Sequence, residues 1–246
     1  MAHPVSYPIM LIPSRTNRRI VIAVMVIFAV LLPIFLITSN VRLIINSDWL
    51  YEYNWWRNSI PERSGIPESE LDRAAGQIVQ YFNDDEEYLD VRVRLGGIDH
   101  SLYNQREVLH MKDVKDLVQG TFVTSTMTGL LLLILAAIGL WLQGRQFWRY
   151  LVQAVKWSAI GSIGVIVLIG VATAIDFNAI FTLFHFISFA NDLWRLNPQT
   201  DYLIIMFPER FFMEATLMIA VMTVAEFALL FLAAALMRRR YSAQRR

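Results

Sequence analysis

The segment DFNAIFTLFHFISFANDLWRLNPQTDYLIIMFPERFF, Asp176 to Phe212, separates two long apolar runs and sets how the rest of the chain is read. Phe177, Phe181, Phe184, Phe186, Phe189 and Trp194 crowd its first half, and among them stand His185, Asn191, Asp192 and Arg195. Aromatic side chains at this density suit the headgroup level of a bilayer, with their apolar bodies in lipid and their polar tips in water. An imidazole held at that level can move protons for a reaction on a lipid. The competing reading is a tie-down loop with a hydrogen-bonded histidine, and this segment alone does not separate the two.

The flanking runs are Leu151 to Ile175 upstream and Met213 to Met237 downstream. With Ile20 to Thr38 and Thr121 to Gln143 they make four stretches near the roughly 20 apolar residues that a spanning helix needs. A hydrophobic share of 56% agrees, as does a mean hydropathy of +0.43; a large part of the chain is solvated by lipid. The first stretch has the flanks of a secretion signal, but its apolar core is long and no A-x-A-like site follows, so it is read as an uncleaved anchor. Ala154, Ser158 and Ser162 recur every four residues in the third stretch and predict close helix approach. Arg15, Arg18, Arg19, Arg145, Arg149, Lys156 and Arg238 to Arg240 all fall on one side of a four-span chain, in flanks without Asp or Glu. The positive-inside rule makes that side, with both termini, the cytoplasm. Asn40 to Gly120 and Asp176 to Phe212 then lie outside.

Within Asn40 to Gly120, apolar Leu71, Ala74, Ala75, Ile78, Val79 and Phe82 predict a helix from Pro67 to Phe82. Leu89, Val91, Val93 and Leu95 alternate with charged residues, as in a half-buried strand, and Gly96-Gly97 turns the chain into a second extended run, Ile98 to Tyr103. Trp49, Trp55 and Trp56 are expected on the membrane surface. Gln105 to Val118 reads as an amphipathic helix descending into the second span. The expected fold class is an α-helical integral membrane protein: four transmembrane helices, a small extracytoplasmic α+β head and an aromatic-rich outer loop between helices 3 and 4.

Several chemistries are excluded. A net charge of +1 says nothing about nucleic acid, and no basic stripe or binding motif argues for it. The chain has no cysteine, hence no thiol nucleophile, thiolate metal site or disulfide. No G-x-S-x-G elbow, P-loop, H-E-x-x-H or Rossmann glycine pattern occurs, and no ligand spacing demands a metal. Of the four histidines, His3 lies in the N-terminal tail and His100 in the hairpin. His110 has Glu107 and Asp113 three residues away on either side, so on a helix these carboxylates share its face. His110 lies about ten residues before the second span and His185 about ten after the third, which brings both to the outer surface and makes them a candidate acid–base pair. Glu226, deep in the fourth span, is expected to form an interhelical hydrogen bond.

Two segments also carry a resemblance. SLYNQREVLHMKDVKDL, Ser101 to Leu117, and the loop Ala179 to Phe212 are similar to the signature segments of the lipoprotein intramolecular transacylase family, and the spans between them agree. The carrying residues are H-M-K-D-V at His110 to Val114, F-H at Phe184-His185, N-D-x-W at Asn191 to Trp194 and F-P-E-x-F-F at Phe207 to Phe212. The resemblance implies transfer of the sn-2 acyl chain of an S-diacylglyceryl cysteine to that cysteine's α-amino group, giving a lyso-form lipoprotein. It implies a diacylglyceryl lipoprotein and membrane lipid as partners, and no cofactor, because exchange of ester for amide runs downhill. His110 and His185 are then the expected acid–base system, with Asp113 and Asp192 orienting them, Asn191 or backbone N–H groups at the oxyanion, and Glu107 and Arg195 in support. The alternatives are a phospholipase or lipid acyltransferase working with the same histidines, and a non-catalytic lipid-binding subunit of an envelope complex.

Overall fold

A computed structural model describes residues 15–243. Residues 1–14, with His3, and 244–246 lie outside the described residues. Four described helices are long and apolar enough to cross a membrane. They are α1 (Arg15–Ile45), α5 (Gln105–Gln143), α6 (Phe147–Ile175) and α9 (Glu209–Ala243). The expected four-span helical membrane fold with two short strands is the one observed.

Small and polar residues let the spans meet. Ala154, Ser158 and Ser162 are all buried on α6, as their four-residue spacing predicts. The Ser39 and Ser125 hydroxyls bond at 2.8 Å, joining α1 to α5. Asn40 Nδ2 donates to Glu226 Oε2 at 3.0 Å and to Thr223 Oγ1 at 3.2 Å, joining α1 to α9. Glu226 therefore makes the expected interhelical bond. Gly139 is the close approach at the α5–α6 turn: a Cβ there would lie 2.0 Å from the Phe147 ring.

The polar segment after α1 contains α2 (Asp48–Arg57), α3 (Ile60–Ser64), α4 (Glu68–Asn83), β1 (Arg92–Leu95) and β2 (Ile98–Ser101). The predicted helix and hairpin are present, with the strands shorter than read. Leu95 pairs with Ile98 across a turn whose glycines adopt φ of +60° and +83°, values that other residues rarely hold. The apolar face of α4 (Leu71, Ala74, Ala75, Ile78 and Phe82) is buried against Val91, Val93, Met111 and Trp55. The fully buried Trp55 corrects its expected place on the membrane surface: its ring fills the head core and its Nε1 donates to Asp72 at 3.1 Å. Trp49 and Trp56 are exposed.

The connection between α6 and α9 forms α7 (Phe177–Ser188) and α8 (Tyr202–Met206). Leu203 and Met206 of α8 sit in the head core, so this connection is clamped to the head. The 39 residues of α5 form one unbroken helix, about 58 Å long, against a hydrocarbon layer of roughly 30 Å. The polar stretch Gln105–Gly120 is therefore the extramembrane part of α5, and it carries His110 beside the end of α7.

Candidate active site

Asn104 and Glu107 begin the construction. The Asn104 side chain accepts from the Arg106 and Glu107 backbone N–H groups, while Glu107 Oε2 accepts from Asn104 N at 2.8 Å, a reciprocal capping box. Glu107 Oε1 accepts from Leu203 N at 2.7 Å, which fixes α8 to the start of α5. Asn104 Nδ2 reaches Asp201 at 3.1 Å. Glu107 is thus fully engaged with backbone amides and not with His110, correcting the expectation drawn from its three-residue spacing. The two carboxylate oxygens are taken up where the helix would otherwise leave donors unpaired.

The loop after α7 is sewn to the same helix face. Asn191 Nδ2 donates to Asp113 Oδ2 at 2.9 Å, and Asn191 Oδ1 accepts from Leu193 N at 3.0 Å. Arg106 donates to the Asp192 carbonyl. The Asp192 carboxylate pairs with Arg195 at 3.0 Å. Two orienting roles therefore change. Asp113 holds the loop through Asn191, and Asp192 holds Arg195; among the described residues, neither carboxylate bonds an imidazole. Asn191 spends one of its two amide hydrogens on Asp113 and its oxygen on Leu193 N, which anchors the side chain in the loop and leaves one N–H over.

These ties bring His110 and His185 together. Their ring centroids lie 6.2 Å apart and both side chains are buried. His100 is exposed on β2, away from this cluster. Phe181, Trp194, Phe184 and Phe189 surround His185 at centroid distances of 4.3, 4.8, 5.4 and 5.6 Å. Phe189 also meets His110 edge-on at 5.1 Å. On the outer side of α7, Leu183, Phe184, Phe186 and Ile187 are exposed, an apolar surface beside the histidines on which an acyl chain can lie. Arg195 stacks over Trp194 at 5.0 Å and Phe186 at 5.5 Å.

His185 Nδ1 lies 2.7 Å from the Phe181 carbonyl oxygen. A carbonyl only accepts, so Nδ1 carries the hydrogen and Nε2 holds the lone pair. Burial lowers the His185 pKa, against smaller opposing effects of the Phe181 carbonyl and Glu209. Burial also pushes His110 down to about 4; the neighbouring His185 and Arg106 add to this and Asp113 opposes it. Both imidazoles are neutral at pH 7. His110 Nδ1 and Trp194 Nε1 are buried without a hydrogen-bond partner among the described residues.

Sequence reading missed the contributions of Phe181, Phe189 and Arg106. The four-residue step from Phe181 to His185 was a usable signal, because those residues share a helix face. Arg106 had no signal, since its acceptor is a backbone carbonyl of a distant loop. Glu209 was missed too; Asn178 Nδ2 donates to it at 2.7 Å and so holds it near the start of α7. No cluster of three or more metal-ligating side chains occurs among the described residues.

Fold and site together define an integral-membrane protein with a buried histidine pair bordering an apolar surface, a setting that suits a lipid-modifying enzyme. The chain belongs to the lipoprotein intramolecular transacylase family: the model of that family, Lipoprotein intramolecular transacylase Lit, matches residues 26–212. It is a membrane acyltransferase of lipoprotein modification, and the family reaction is oxygen-to-nitrogen acyl transfer. The fold is similar to that of the in meso structure of the transacylase from Bacillus cereus. That likeness has a TM-score of 0.71 at 22% identity and covers 94% of this chain and 98% of that one. A histidine-to-alanine variant of the same protein gives a TM-score of 0.69 at 19% identity, over 93% of this chain and 96% of that one. An uncharacterized protein of Aquifex aeolicus is 24% identical over 201 residues, covering 80% of this chain and 86% of that protein.

Proposed function

We propose that His110 and His185 are the acid–base pair that moves the sn-2 acyl chain of an S-diacylglyceryl cysteine onto the α-amino nitrogen of the same cysteine. The observation that carries the assignment is the pairing of two buried, neutral imidazoles 6.2 Å apart between centroids. Nucleophile and ester come from one substrate molecule, so the protein's task is to hold them together and to move protons. Holding such groups in an attack geometry lowers a barrier by roughly 7–11 kcal/mol.

The substrate's α-amino group titrates near pH ~7.7–8.0, and its neutral fraction is the nucleophile. The amine nitrogen attacks the ester carbonyl carbon, forming the C–N bond and an oxyanion. His185 Nε2, free because Nδ1–H is held by the Phe181 carbonyl, takes the surplus proton from nitrogen. The C–O bond to glycerol then breaks, and the histidine pair returns the proton to the leaving oxygen, with His110 on the leaving side. Products are an amide and a free glycerol hydroxyl, and both imidazoles end neutral. Asp113, Asn191, Asp192, Arg106 and Arg195 act as positioning residues, holding the loop of His185 against the helix of His110.

On this reading the cleft faces the outer leaflet and both termini are cytoplasmic. The support is the charge order along the chain, in which Arg15, Arg18, Arg19, Arg145, Arg149, Lys156 and Arg238 to Arg240 all flank the same side of four spans. The test is purified protein in nanodiscs with a synthetic diacylglyceryl lipopeptide, with acyl position read by fragmentation mass spectrometry. Wild type gives the N-acylated lyso-glyceryl peptide, and His110→Ala and His185→Ala give none. Wild-type product from either variant, or free fatty acid in place of the amide, overturns the assignment.

A further inference from the structure

We infer that the indole N–H of Trp194 is the oxyanion donor of this site, an inference that rests on the acyl-transfer reading above. An indole nitrogen can only donate a hydrogen bond. Trp194 Nε1 is buried and has no acceptor among the described residues. Leaving a buried N–H unpaired is costly, and the same chain avoids that cost at Trp55, whose Nε1 donates to Asp72 at 3.1 Å.

Trp194 is fixed where such a donor is useful. Its ring stacks against His185 at 4.8 Å between centroids and 34° between planes, and it meets Phe186 edge-on at 5.4 Å. The other side-chain donor in the loop, Asn191, is anchored to Asp113 and solvent-exposed, whereas the Trp194 N–H is buried with no acceptor among the described residues. When the substrate nitrogen attacks, the ester carbonyl oxygen gains a full negative charge, and that charge leaves again as the C–O bond breaks. A donor already held in a buried site bonds most strongly at that moment, once the substrate oxygen displaces what covers it. The donor therefore acts on the transition state more than on substrate binding.

The experiment is Trp194→Phe, which removes the N–H and keeps an aromatic ring against His185. In nanodiscs with the diacylglyceryl lipopeptide, kcat is expected to fall about 100- to 1,000-fold with KM changed less than about threefold. The thermal midpoint should stay near that of wild type, because the N–H has no protein partner to lose. In 15N-tryptophan-labelled wild type, one indole N–H resonance should move downfield when a phosphonate lipopeptide that mimics the tetrahedral intermediate is added. That resonance is the one absent from Trp194→Phe, or from Trp194→His if the phenylalanine variant does not fold. A variant kcat within threefold of wild type, or no indole shift with bound phosphonate, overturns the role. Failure of wild type to make any amide instead overturns the acyl-transfer reading itself, so the two failures are distinguishable.

Discussion

The head and the histidine cleft treat buried polar groups in opposite ways. In the head, Asn54 Nδ2 donates to the Met206 carbonyl at 2.8 Å, Lys115 Nζ to Asp84 at 2.9 Å, and Glu107 receives two backbone amides. In the cleft, His110 Nδ1 and Trp194 Nε1 are buried and unpartnered. The head resolves its desolvation costs internally, as a part built for stability does. The histidine site leaves its capacity open, and the proposed reaction is what would use it: an ester carbonyl, an amine and a leaving oxygen brought by the substrate. Unpaired polar atoms beside an apolar surface are what set the histidine site apart from the head core.

The strongest way to break this contrast is to cut each region in turn. His110→Ala and His185→Ala should lower lyso-lipopeptide formation by at least about 100- to 10,000-fold. Both variants should still insert and melt close to wild type, which is checked by thermal unfolding in detergent. Glu107→Ala should do the reverse. It leaves Leu203 N and Asn104 N without a charged acceptor and should cost about 1.5–3 kcal/mol of stability. Proteolysis near α8 should rise, with activity falling as that helix loosens. A Glu107→Ala protein as stable as wild type would place the head and cleft in one class.

The pH dependence sharpens the contrast further. The folded histidines sit below the ordinary 6.5, His110 at about 4. As pH falls from 6.5 towards 4, the unfolded chain takes up protons that the folded site refuses, so stability declines over that window and is unaffected by these groups above it. The rate should instead rise between pH ~6.5 and ~8, following the substrate amine as it loses its proton. A lipopeptide whose amine has a lower pKa should shift that limb by the same amount; a limb fixed at 6.5 would assign it to an ordinary, solvated histidine. Glu226→Gln is the smallest expected effect. The amide still accepts from Asn40, so activity should stay within twofold and stability within about 0.5 kcal/mol.

Much of this was legible along the chain. Four apolar stretches, the α4 face from Leu71 to Phe82, the Gly96-Gly97 turn and the Glu226 hydrogen bond all follow from local periodicity or from the cost of a charge in lipid. Misreadings came where a partner is remote. Trp55 reads as an interfacial aromatic in sequence because composition does not reveal that α4 covers it. Glu107 reads as a histidine partner because spacing shows a shared face but not the Leu203 amide that claims the carboxylate. The capping box of Asn104 and Glu107 was readable and would have pointed the right way.

By itself, the order of residues determined the four spans, the asymmetry of their charged flanks, and the two histidines as the candidates for an acid–base pair. These are properties of single segments, set by hydrophobicity, charge and side-chain chemistry. Tertiary structure alone decided that the imidazoles lie 6.2 Å apart between centroids, that His185 presents Nε2, that Asn191 is tied to Asp113, and that the Trp194 N–H is buried without an acceptor among the described residues. The physical reason is that each depends on which acceptor a distant segment brings within about 3 Å, and a hydrogen bond is lost over less than the length of one residue.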